Sequence, residues 1–177
     1  MAENNPAPTL TPEEATRARD VLLEQERVLR YPKRFGSAAA LKLGFTAASL
    51  APLFDSGYTV TVTRESDGVR VFQYVAEDTG ERNLVFAEGK RRAALAAGHA
   101  SPWAQLAAVE AGDETSVWAN VPQEVPACGA FPIRAGDDWV ATIAVSGLHD
   151  GQDHEVILRA LEICLQAKAP RWDAPVA

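Results

Sequence analysis

This sequence predicts an α+β fold, an antiparallel sheet covered by helices, and two observations carry that reading. Strand-type alternation occurs in two pairs, each closed by a short polar turn, as hairpins require. Helical stretches flank and separate the pairs, giving the order αα-ββ-αα-ββ-α.

Each element has a local reason. Thr11-Pro12-Glu13-Glu14 opens the first helix: threonine caps, proline suits the first helical position, and Glu14 closes a capping box. Ala15, Ala18, Val21, Leu22, Val28 and Leu29 form its apolar stripe, and Tyr31-Pro32 stops it, because the residue before proline avoids helical geometry. An alanine-rich second helix runs from Ser37 to Leu50 and reads as a closely packed core helix. Tyr58, Val60 and Val62 alternate with threonines, and Val69 to Val75 alternate again after Ser66-Asp67-Gly68, so residues 58–76 form a hairpin. The third helix begins at Gly80 and stops at Gly98, a left-handed terminator. Ser101-Pro102 starts a short fourth helix towards Gly112, with Ser101 as its cap. Phe131–Arg134 and Trp139–Ser146 make the second hairpin around Ala135-Gly136-Asp137-Asp138. The last helix starts near Asp150, whose carboxylate caps it, and presents Ile157, Ala160, Leu161 and Cys164 on one face until it ends after Lys168. Residues 11–168 therefore read as one domain between a flexible tail at 1–10 and a C-terminal tail at 169–177.

Composition narrows the class. The 177 residues carry 24 acidic and 17 basic side chains, a net charge of −7, and 47% are hydrophobic. A chain of this size buries a core without staples. An acidic chain does not bind nucleic acid through a broad basic face. No apolar run approaches the length of a membrane span, and the start lacks the pattern of a signal peptide. Cys128 and Cys164 stand apart without metal-type spacing, which fits a reduced, cytoplasmic protein.

The chemistry-bearing residues are few. His149 and His154 lie about 140° apart around a helix, so a regular helix cannot turn both towards one metal. They read as surface or capping positions, with Asp153 as an acidic residue of the helix start. His99 follows the Gly98 stop, where a histidine gains from the negative helix end. Cys164 falls on an apolar face and reads as a packed thiol; Cys128, in Pro126-Ala127-Cys128-Gly129, has no base beside it in the sequence. Lys90-Arg91-Arg92 is the basic triplet of an acidic chain, either a solvated face balanced by Glu81 and Glu88 or a pair of cations aimed at an anion. Backbone amides after Ser146-Gly147 also offer an anion site, although Asp150 and Asp153 already bring negative charge there. Trp103 and Trp172 read as exposed aromatics suited to a partner.

One set of motifs is more specific. Gly129-Ala130-Phe131-Pro132-Ile133, Val145-Ser146-Gly147-Leu148 and Asp153-His154-Glu155 resemble the haem-degrading-domain-like (GlcG-like) family, whose pattern runs HGGAFPI, VSGL, then DH at the last helix. Phe35 with Leu43-Gly44, Gly89-Lys90-Arg91-Arg92 and Gly98-His99-Ala100-Ser101 extend the likeness over residues 30–168. Ala127-Cys128 replaces the family's His-Gly, and Phe86 stands where a tryptophan is usual. The resemblance implies a profilin-like layered fold with a central antiparallel sheet, and a ring-like or stacked homo-oligomer. It further implies a binding protein rather than an enzyme, for haem or another small anionic cofactor. The ligand-binding residues it implies are Lys90, Arg91, His99, Ser101, Gly129, Phe131, Pro132, Ser146, Gly147, Asp153 and His154. Among them His99 or His154 is the axial ligand, and the basic triplet meets the propionates. A redox accessory enzyme using Cys128 or His154, and a protein-interaction scaffold, are the alternatives.

Overall fold

In the computed structural model, which describes residues 10–173 and 176, a capping box starts the first helix. The Thr11 amide donates to Glu14 and the Glu14 amide to Thr11 Oγ1. Helix α1 spans Pro12–Val28, α2 Ser37–Ser49, α3 Glu81–Ala97, α4 Trp103–Ala111 and α5 Gln152–Leu165. Strands β1 (Thr59–Arg64) and β2 (Arg70–Val75) form one hairpin; β3 (Ala130–Ala135) and β4 (Asp138–Ser146) form the other. The sheet order is β2-β1-β4-β3, antiparallel throughout, so the hairpins join through their β1 and β4 strands. This is the α+β arrangement expected. The 1–10 tail lies outside the described residues except for Leu10, which is buried.

Register decides which face meets which helix. Val60 opposes Val145 and Val62 opposes Ile143, and with Phe131 and Ile133 they make the main core under α2 and α5. The other face carries Thr59, Thr61, Ala130 and Ala144, small enough for α3 to lie close through Ala87 and Ala94. Pro132 is tolerated because β3 is an edge strand, paired with β4 alone.

Several local expectations are corrected. Asp150 does not cap α5: Gly151 is the N-cap, no side chain caps it, and Asp150 itself has φ 53°. Helix α5 ends at Leu165, earlier than expected, because Gln166 turns left-handed. Ser101 does not cap α4. Its hydroxyl donates to the Ala127 carbonyl and accepts the Ala130 amide, fixing the start of β3. After α5 the chain follows the body: Gln25 donates to the Pro170 carbonyl and Arg171 pairs with Glu155 and Glu162.

Candidate functional site

The motif residues converge at the end of the sheet where β4 leaves for α5. Gly129 sits at φ +123°, and a Cβ there would lie 2.5 Å from the Val145 carbonyl oxygen and 2.9 Å from Lys90 Nζ. Only glycine fits that close approach. Gly147, at φ +145°, is constrained in the same way: a Cβ there would lie 2.6 Å from the Gly57 carbonyl oxygen. Through the space so made, Lys90 reaches in from α3. Its ammonium lies 2.6 Å from Asp153 Oδ2 and 3.1 Å from the Val145 carbonyl. Asp153 Oδ1 accepts the Leu148 amide. Burial pushes the Asp153 carboxyl above its ordinary value, while Lys90 and the Leu148 and Gly147 amides pull the other way.

The amides after Ser146-Gly147 therefore do hold an anion, and it is the protein's own Asp153. The basic triplet does not converge on a ligand. Lys90 is buried in this pair, Arg91 is bound to Glu65 and Glu88, and only Arg92 projects outward. Burying a charge requires pairing it, and each inward cation has found its carboxylate. Ser101, Phe131, Pro132 and Ser146 are likewise interior residues.

The histidines separate by environment. His154 is fully buried rather than on the surface. Gln25 donates its amide to Pro170, which turns its oxygen towards the ring; His154 Nε2–H donates to that oxygen at 2.9 Å. Nδ1 is buried without a partner among the described residues, Trp172 stacks on the ring, and Phe131 meets it edge-on. Burial, with the Arg171 charge nearby, lowers its pKa from 6.5 to about 3. Axial ligation by His154 does not fit this enclosure. His149 is exposed on the loop before α5.

His99 is different. It is half-buried, and its Nδ1 donates to Glu26 Oε2 at 3.0 Å, while Glu26 Oε1 accepts the Ala100 amide at 2.8 Å. This fixes the tautomer with its lone pair on Nε2. Trp103 stacks on the imidazole at 3.9 Å between centroids, and the Arg19 guanidinium lies over the same indole. Both tryptophans read as exposed are thus half-buried stacking partners of histidines. Arg134 lies over the Trp139 ring, with Nη2 3.5 Å from the carbonyl of Gly98, the residue before His99, and makes no ion pair with a carboxylate among the described residues.

Cys128 is enclosed as well. Burial pushes its thiol up, against the pull of Lys90, and Sγ points at the Val176 carbonyl. Cys164 is half-buried beside Thr46.

Sequence reasoning missed Gln25, Glu26 and Arg134. A signal for the first two was present: they occupy the i+3 and i+4 positions between Leu22 and Leu29, polar residues inside an apolar stripe. Their partners lie 129 and 73 residues away, so the pattern alone names none. Four cavities on the surface of the described residues are lined by other residues than the eleven singled out from the motifs. For haem, the donor chemistry of His99 fits, whereas Lys90 and Arg91 are already neutralised.

Residues 35–162 match the family described as "Haem degrading protein HbpS-like". A UPF0303 protein of Psychromonas ingrahamii is 29% identical over 143 residues, spanning 79% of this chain and 88% of its own. The crystal structure of the Ybr137w protein superposes with a TM-score of 0.73 at 20% identity, covering 88% of this chain and 95% of that one. A crystal structure of a PduOC:heme complex gives a TM-score of 0.61 at 15% identity, covering 79% and 99%. These structural likenesses establish a shared fold. No helix among the described residues is long and apolar enough to cross a membrane.

Proposed function

Because this chain belongs to the HbpS-like family of haem-degrading proteins, we propose that it is a binding protein for haem or another small anionic cofactor, with His99 as the axial ligand. The observation that supports this is the Glu26–His99 pair. Metal-ligating histidines donate their other ring N–H to a carboxylate, as His99 Nδ1 does to Glu26, leaving Nε2 as an electron-pair donor on a half-buried ring. Arg134 is the cation placed to meet a propionate next to it. A structural neighbour crystallised as a haem complex adds weight to the ligand class.

Binding is favoured over catalysis by what surrounds the two side chains an enzyme would use. Cys128 is a buried thiol whose pKa is pushed up, and His154 is a buried neutral ring. Neither presents a reacting group to a ligand at the surface. Leu41, Phe45 and Leu53 are exposed, and their apolar surface favours a homo-oligomer.

Haem titration of the purified protein tests the reading. A saturable Soret shift, sensitive to reductant, is expected, with affinity reduced at least about tenfold in His99→Ala and retained in His149→Ala. Titration indistinguishable between the wild type and His99→Ala would exclude His99 as the ligand. No shift above that of an albumin control would exclude haem.

A further inference from the structure

Where α1 gives way to α2, the chain crosses one end of the sheet as Arg34-Phe35-Gly36-Ser37. It leaves a cavity of about 250 Å³ there. Phe35, Ala40, Val71, Val140 and Ala141 make its apolar lining, and Arg34 and Arg64 stand at its rim. The two cations differ in their commitments. Arg64 binds Asp67 through Nε and Nη2, so one edge of its guanidinium is taken. Arg34 is exposed and pairs with no carboxylate among the described residues. The chain carries 24 acidic side chains to 17 basic ones, yet no carboxylate among the described residues neutralises Arg34 at this rim. Gly36 caps helix α2 without a side-chain bond, and both Gly36 and Ser37 line the cavity, so the start of α2 borders it.

From the cavity and its arginines we infer a binding site for a small organic oxyanion, one carboxylate or phosphate headgroup on a compact apolar body. The headgroup lies between Arg34 and Arg64, where a planar fork can engage two oxygens. The body fills the space over Phe35, Val71 and Val140, and the volume limits it to roughly the size of one aromatic ring. None of the residues lining it takes part in the Glu26–His99 arrangement, so haem binding can fail without affecting this site.

Titrations of the full chain with benzoate, phenyl phosphate and inorganic phosphate, followed by amide chemical shifts, test the inference. Saturable shifts of the Phe35–Ala39 amides are expected with benzoate or phenyl phosphate, and the stronger of the two identifies the headgroup. Inorganic phosphate is expected to bind at least about tenfold more weakly than phenyl phosphate, lacking the apolar body. Arg34→Gln, at an exposed position, is expected to weaken the preferred probe about tenfold or more while leaving the remaining spectrum unchanged. Equal affinity for inorganic phosphate, shifts centred elsewhere, an affinity unchanged in Arg34→Gln, or no saturable shift with any probe would each overturn it.

Discussion

Replacing Lys90 by methionine probes the buried ion pair that ties α3 to α5. The two side chains are only 7% and 6% exposed, and ammonium and carboxylate lie 2.6 Å apart. Methionine keeps an apolar chain of similar length but removes the charge. Asp153 is then held only by the Leu148 and Gly147 amides. Removing one partner of a buried pair costs about 3–5 kcal/mol. With a urea slope of about 2 kcal/mol/M, the unfolding midpoint of Lys90→Met falls by about 2 M. Asp153→Asn strands the ammonium and costs a similar amount. The double variant strands neither charge, so it is expected to be at least as stable as either single variant rather than to lose the sum of about 6–10 kcal/mol. The penalty also depends on pH. Without Lys90 the folded Asp153 carboxyl is raised further above its unfolded value. A raised folded pKa gives stability that is complete below the unfolded value and lost as pH rises through the folded one. The deficit of Lys90→Met therefore shrinks on acidification towards about pH 4. Urea unfolding at neutral and acid pH, for all four chains, measures each quantity. A midpoint shift below about 0.5 M, or strictly additive single substitutions, would refute the reasoning.

Two further outcomes follow from the same geometry. The His154 ring is expected to stay neutral from pH 8 to 5 by imidazole NMR, since its pKa is lowered from 6.5 to about 3. The unfolded chain takes up that proton first. Stability contributed by His154 is thus complete above about 6.5 and lost as pH falls towards about 3, by at most about 1.4 kcal/mol per pH unit. His154→Phe should lessen that acid-side loss, and a ring titrating near 6.5 in the folded protein contradicts the enclosure. Gly129→Ala is expected to cost about 3 kcal/mol or more, because its Cβ meets the Val145 carbonyl oxygen at 2.5 Å as well as adopting φ +123°. Gly98→Ala, at φ +75° with open space around it, is expected to cost only about 1–2 kcal/mol. The reverse ranking in thermal unfolding would show that close approach is not what selects glycine at 129.

Much of the fold was legible because its causes are local. A threonine three residues before a glutamate closes a capping box, an aspartate-glycine turn closes a hairpin, and a glycine in the left-handed region ends a helix at Gly98. Strand alternation also separated the faces of β1, with Val60 and Val62 inward beneath α2 and α5. The motif resemblance named residues that do meet in space, including Lys90, Gly129, Gly147 and Asp153.

The roles of those residues were not legible, because charge and polarity in a sequence carry no record of partners. Lys90 and Arg91 are adjacent cations on one helix, yet one faces Asp153 and the other Glu65, 63 and 26 residues away. His154 and His99 look alike as candidate ligands. Gln25 and Glu26, neighbours on α1, hold one as a buried neutral ring and leave the other's Nε2 without a partner among the described residues. The sequence by itself determined the elements, since backbone conformation follows from near neighbours and hydrophobic period. Only the tertiary structure decided which polar groups are spent holding the fold and which stay unpaired among the described residues, because burial and pairing arise between segments that the chain order keeps far apart.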